Sequence, residues 1–218
     1  MGYAMNLYHD QVIAGAESGT PLTSAKRMIF VRHGRVRVND VTLRAGDSLF
    51  VTDEMVTTSE DEWSQIWRWE IAPVNVAPLL MQNMGSLSHL RMASPLTTLN
   101  LYAGDRWLFR LDQIASQAGH VAPLHTHAGP GIRCVTTGTF NFQEGAHGMR
   151  DLLPGDPFFE TGTEPCLAWG ADQMGGTFVR GMLLTPEWET RMAASLVDPH
   201  EFTSSSTWTL IREAVIEL

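Results

Sequence analysis

The run Gly119-His120-Val121-Ala122-Pro123-Leu124-His125-Thr126-His127 sets two imidazoles at positions i and i+2, and Cys134-Val135-Thr136-Thr137-Gly138-Thr139-Phe140-Asn141-Phe142 follows it. The second run is rich in β-branched and aromatic residues on both sides of a turn glycine, the pattern of strand, turn and strand. On a strand successive side chains alternate between faces, so His125 and His127 project to the same side and both ring nitrogens reach one ion. A helix would splay them.

The residues from Gly119 to Gly138 resemble the first signature of the cupin superfamily: a glycine, five residues, His-x-His, three or four residues, a glutamate, then six residues and a glycine. The residues from Gly155 to Gly170 are similar to its second signature, in which a glycine is followed eleven positions later by a third histidine. Two of the four family ligand positions hold other residues, with Gly131 at the glutamate and Cys166 at the third histidine. The resemblance implies an all-β chain built from double-stranded β-helix, or jelly-roll, barrels with a site on the inner face.

An internal repeat suggests two barrels. Arg32-His33-Gly34-Arg35-Val36-Arg37-Val38 followed by Leu43-Arg44-Ala45-Gly46-Asp47-Ser48-Leu49-Phe50-Val51 has the same order as Thr136 to Phe142 followed by Leu152-Leu153-Pro154-Gly155-Asp156-Pro157-Phe158-Phe159. Each copy reads as strand, turn glycine, alternating strand, Gly-Asp turn and apolar strand. Each continues into a further strand, Ser64 to Ile71 in the first and Thr177 to Leu184 in the second. At 218 residues the chain has room for two small barrels. The expectation is a bicupin, with an N-terminal degenerate barrel over 1–72, a connector over 73–97 carrying Pro73, Pro78, Gly85 and Pro95, a C-terminal barrel over 98–185 and a short helical segment over 186–218. In that last segment Thr185 and Pro186 predict a helix reaching about Val197. Trp208, Ile211, Val215 and Leu218 recur at helical spacing and predict a second, docked on a barrel.

A formal net charge of −9 and a sequence pI near 5.3 argue against a nucleic-acid or anionic-membrane partner. Arg35, Arg37 and Arg44 alternate as they would on a solvated strand face. There is no run of eighteen apolar residues, and Met1 to Asn6 has neither the basic region nor the apolar core of a signal peptide, so the expected location is cytoplasmic. Cys134 and Cys166 both fall in predicted strands and are read as reduced thiols rather than a disulfide framework. Serine-hydrolase elbows, nucleotide-binding glycine loops and Cys-x-x-Cys pairs do not occur.

The candidate metal ligands are His125, His127, Cys166 and Glu160. Cys166 holds the third position by spacing and would suit a divalent ion as thiolate, or would simply be a small buried hydrophobe. Glu160 and Glu164 flank a Thr-Gly-Thr turn, and Glu160 is preferred. His120, five residues before His125, should face away from the site. For substrate, Arg133 shares strand parity with the glutamate position and would hold a carboxylate bidentately, or form a rim ion pair. Phe140, Phe142 and Trp169 would wall an apolar pocket. The N-terminal half has Pro21, Thr23, Arg27 and Thr57 at the four ligand positions, so no metal is expected there, and it would pack against the other half and supply a homodimer surface.

Two functions follow. The first is a metal-dependent dioxygenase, isomerase or decarboxylase acting on a small organic acid, with zinc, iron, manganese or nickel as the divalent ion. The second is a non-catalytic small-molecule binder that has lost its metal.

Overall fold

A computed structural model describes residues 2–14, 21–83, 85–170, 175–198, 200–201 and 206–218. The chain divides into two compact units, Met1–Pro95 and Leu96–Leu218. The first unit holds β1 (Tyr3–Ile13), β2 (Lys26–His33), β3 (Arg35–Val38), β4 (Val41–Arg44), β5 (Ser48–Val51), β6 (Thr57–Ser59), β7 (Trp63–Pro73), β8 (Gln82–Asn83) and β9 (Ser86–Pro95). The second holds β10 (Arg106–Ser116), β11 (Val121–His127), β12 (Gly131–Thr137), β13 (Phe140–Glu144), β14 (Arg150–Leu152), β15 (Pro157–Glu160), β16 (Cys166–Gly170), β17 (Gly176–Leu184), β18 (Ala194–Leu196) and β19 (Ser206–Glu217).

Each unit is built from two antiparallel sheets, and the same order recurs. In the first unit the large sheet runs β5-β2-β7-β1-β9-β8 and the small one β4-β3-β6. In the second the sheets run β15-β12-β17-β10-β19 and β14-β13-β16-β11-β18. The turn that joins β2 to β3 and β12 to β13 is made by Gly34 and Gly138, with φ of 77° and 70°, a left-handed conformation that costs glycine nothing. Alternating apolar side chains fill the space between sheets. Val12, Ile29, Val31, Val36, Val38 and Ile66 form the core of the first unit, and Val135, Phe140, Phe142, Leu152, Phe158 and Cys166 that of the second.

Three expectations are corrected. The segment 73–97 contributes β8 and β9, and β9 pairs with β1 from Ala4↔Pro95 to Val12↔Ser86. Its alternation is hard to see in sequence because Ser86, Ser88 and Ser94 occupy buried positions while Leu87 and Leu90 are exposed. Residues 185–197 form a single 3-10 turn over Pro186–Trp188 and then β18, not a helix. Residues 206–217 form β19, an edge strand on β10, again not a helix. Its register with β10 jumps from Leu111↔Arg212 to Asp112↔Leu210. The extra residue, Ile211, reverses the alternation in mid-strand and so imitates helical spacing.

Candidate metal and ligand site

The second unit gathers its polar chemistry at one end of its interior. β11 pairs with β16 through Val121↔Trp169, Ala122↔Ala168 and His125↔Cys166, so an irregularity at Pro123 and Leu124 resets the parity of the strand. On its other side β11 pairs with β18 through His125↔Leu196 and His127↔Ala194. The two imidazoles lie on one face, with ring centroids 4.9 Å apart and planes nearly perpendicular.

Each imidazole is anchored by a backbone carbonyl. His125 Nδ1 lies 2.6 Å from the Pro123 carbonyl, and His127 Nδ1 lies 3.1 Å from that of Ala193. A carbonyl only accepts, so each Nδ1 carries a proton, and Nε2 of each ring is the nitrogen turned to the interior. Cys166 Sγ is 3.4 Å from His125 Nε2. Donor atoms of His125, His127 and Cys166 all fall within 4.8 Å of one another.

Glu160, on β15, lies beside this group, against His127. Its cross-strand partner is Gly131, and its Oε2 lies 2.6 Å from His127 Nε2. Burial works against its ionisation, but the Arg133 guanidinium and then His127 hold its carboxyl well below the usual carboxylate range. Burial likewise depresses His127 to about 4, with Glu160 only partly opposing it. A neutral imidazole whose lone pair faces a carboxylate oxygen at this distance calls for a shared proton or a shared cation. Glu160 Oε2 is ion-paired with the Arg133 guanidinium, though no hydrogen bond of ordinary geometry reaches it. Burial pushes the Cys166 thiol up, so without a cation it keeps its proton. Two oriented nitrogens and one sulfur within 4.8 Å of one another suit a divalent ion, with the Glu160 carboxylate beside His127.

Buried cations lie behind the donors. Arg133 is fully buried, donates through Nη1 to the Gly131 carbonyl at 2.6 Å and contacts Glu160 Oε2 through Nη2. Arg180, its cross-strand neighbour on β17, donates through Nε and Nη2 to Asp112, which also accepts from Trp208 Nε1 at 2.8 Å. Glu144, buried on β13 across from Cys166, accepts from Thr161 N at 2.7 Å and Thr161 Oγ1 at 2.9 Å, and burial raises its pKa. Glu164, the other acid of that turn, is exposed.

A cavity of about 290 Å³ opens onto this cluster. His125, His127, Glu160 and Arg180 line one end, and Phe140, Phe142, Phe158, Phe178 and Trp169 are among its walls. Met192, Ala194 and Leu196 border it from the segment that follows β17. That segment is pinned by Arg110, whose Nη1 donates to the carbonyls of Arg191 at 2.7 Å and Trp188 at 3.3 Å and to Glu213 Oε1 at 3.2 Å.

The residues singled out in the sequence are distributed unevenly. His125, His127, Cys166 and Glu160 converge, and Phe140, Phe142 and Trp169 line the cavity. Arg133 points inward but does not line the cavity; Arg180 does, and was not foreseen. His120 corrects the expectation that it faces away, since it is 7% exposed and lines the cavity. The irregularity at Pro123 and Leu124 is what turns it inward.

By sequence the chain matches no family model and no curated protein. Its structure is similar to that of the Bacillus subtilis oxalate decarboxylase, which has Mn(II) centres, at 10% identity and a TM-score of 0.62 over 90% of this chain and 75% of that one. It is similar to the Lactobacillus farciminis oxalate decarboxylase at 11% identity and 0.60, over 88% and 79%. It is similar also to the salicylate 1,2-dioxygenase of Pseudaminobacter salicylatoxidans at 13% identity and 0.57, over 88% and 74%. The chain has a cupin fold. At these identities the shared property is the fold alone.

The first unit of this cupin-fold chain fills the equivalent interior with ion pairs. Arg27 Nε lies 2.5 Å from Glu70 Oε1, Arg68 Nε lies 2.6 Å from Asp10 Oδ2, and the Arg68 guanidinium sits 4.0 Å from the Tyr8 ring centroid. Leu79 and Asp53 carbonyls accept further hydrogen bonds from Arg68 and Arg27. Among the described residues no histidine, cysteine or acid of this unit forms a metal-sized cluster, and no helix among the described residues of the chain is long and apolar enough to cross a membrane.

Proposed function

We propose that the chain is a bicupin whose C-terminal unit binds a divalent metal ion through Nε2 of His125 and His127, Sγ of Cys166 and Oε2 of Glu160, and acts on a small organic acid held in the adjoining cavity. The observation that carries this reading is the anchoring of both Nδ1 atoms on carbonyls, which fixes the two rings with their Nε2 atoms turned toward Cys166 and Glu160. A thiolate in the set favours zinc or iron over manganese. When bound, such an ion supplies Lewis-acid polarisation of a ligand oxygen. The chain's own residues orient the donors, exclude water behind an aromatic wall and offer Arg180 to an anionic ligand. Dioxygenase, isomerase and decarboxylase activities are the reaction classes that suit this arrangement.

One observation favours the non-catalytic reading. Arg133 Nη2 already contacts Glu160 Oε2, so the carboxylate has a counter-charge without any metal. Elemental analysis of purified protein beside the double variant His125→Ala, His127→Ala separates the two. Near-stoichiometric metal in the wild type that is lost from the variant supports the metal site. Metal retained by the variant places it elsewhere, and metal absent from both, even after incubation with zinc or iron, favours the binder.

A further inference from the structure

We infer that the cavity takes a monocarboxylate with a flat apolar body of about one ring, and not a small diacid. This rests on the reading of the cavity as the ligand site. Among the similar proteins the two oxalate decarboxylases carry in their name a two-carbon diacid and the dioxygenase an aryl monocarboxylate, salicylate; the choice between these classes rests on the cavity of this chain.

Size comes first. About 290 Å³ corresponds to roughly ten water-sized volumes. A two-carbon diacid would leave much of that space facing apolar walls.

Wall chemistry comes second. Phe140, Phe178, Phe158 and Phe142 form a continuous chain of ring contacts, with successive centroids 5.3, 5.6 and 4.7 Å apart and the first two pairs near edge-to-face. Ile114 and Ala168 extend the wall. A planar apolar body gains dispersion and quadrupole contacts there, whereas a second carboxylate would be desolvated against it without a partner.

Charge comes third, and it lies at one end. Arg180 is 2% exposed, spends Nε and Nη2 on Asp112, and makes no hydrogen bond through Nη1 to any described residue. Because Arg180 also lines the cavity, that free N–H pair is the group available to one carboxylate beside His125 and His127. Along β10, away from the Asp112↔Arg180 pair and toward Ser116↔Gly176, the lining changes to Ser116, His120 and Gly170. Burial lowers the His120 pKa, so its ring is neutral near pH 7 and is no second cation. Among the described residues of the lining, one anionic terminus has a cationic partner and a second has none.

The test is a binding panel on the full chain, by calorimetry and thermal shift, with added zinc and again after treatment with a chelator. The probes are benzoate, phenylacetate and 3-phenylpropanoate, against oxalate, malonate and succinate, with benzamide and phenylacetamide as neutral controls. Aryl monocarboxylates binding at least about tenfold more tightly than both other groups is the expected result. Ala168→Phe, which fills the cavity, should abolish that binding, and Arg180→Lys, which keeps a charge opposite Asp112, should weaken the acids by about tenfold while changing the amides little. Diacids binding as well or better, amides binding equally, or no binding by any aryl acid to the wild-type chain would each overturn the inference, whatever the variants do. An aryl-acid preference that survives the chelator sustains it even if the metal site fails. Metal retention without that preference overturns it and leaves the metal site standing.

Discussion

Glu160 lies directly across an antiparallel strand pair from Gly131, and its carboxylate reaches the space beside His127. A side chain at Gly131 itself is excluded, because a Cβ there would sit 2.2 Å from the Gly181 carbonyl oxygen. In the proposed site the acid that the cupin resemblance places on β12 comes instead from β15, at the same level of the interior. Position in space is kept although position in sequence is not.

Glu160→Gln tests this substitution of strands. The variant should lose metal, since a neutral amide oxygen is a poor donor, and should leave the Arg133 guanidinium buried without its counter-charge. The second effect should cost about 3 kcal/mol, at the low end for one broken buried pair. Urea unfolding followed by tryptophan fluorescence, with elemental analysis alongside, reads both. Full metal content in a folded variant would remove Glu160 from the donor set.

Cys166 should make metal affinity depend on pH. Burial holds the thiol protonated, so coordination must release a proton, and apparent affinity should rise about tenfold per pH unit through the neutral range. Cys166→Ser should flatten that slope and weaken binding, because a neutral hydroxyl is a poorer donor than a thiolate. Equal slopes in zinc titrations at several pH values would mean that the sulfur stays a thiol.

Acid should destabilise the second unit through His127 and Glu160 in the same direction. Between the ordinary histidine value of 6.5 and the depressed value of about 4, the unfolded chain takes up a proton at His127 that the folded chain refuses, so stability falls as pH falls through that window. The Glu160 contribution is present above the usual carboxylate range and is lost at lower pH, as its depressed folded value is approached. Burial depresses His9 and His120 as well, so total stability has several sources. The difference between wild type and His127→Gln isolates one. In metal-free buffer its denaturation free energy should differ from the wild type by an amount that changes between pH 6.5 and 4 and is constant above. A pH-independent difference would show that His127 titrates normally.

The segment bearing Ala193 should depend on Glu213. That carboxylate accepts from Thr190 N at 3.1 and 3.3 Å and from Arg110 Nη1, and Thr190 has φ of 59°, a left-handed conformation that costs a threonine on the order of 1–2 kcal/mol. Glu213→Ala should release the turn, loosen the Ala193 carbonyl from His127 Nδ1, and speed amide exchange over residues 190–196 by about tenfold or more. Exchange that stays slow would show that β18 is held by its pairing with β11 alone.

What the sequence determined by itself is local. Strand alternation, the turns at Gly34 and Gly138 and the repeat of strand order all arise from interactions within a few residues, and they are enough for an all-β chain with His125 and His127 on one face. What the tertiary structure decided is register. The irregularity at Pro123 and Leu124 brings His120 into the cavity, the extra residue at Ile211 makes β19 a strand where its apolar spacing reads as helix, and the pairing of β12 with β15 and β17 brings Glu160 and Arg180 to the site. A bulge costs one residue in the sequence and reverses every face beyond it. Which strand lies opposite which is settled only when residues far apart in the chain close their hydrogen bonds, so a glycine on one strand and a glutamate on the next become one position in the folded protein and remain two in the sequence.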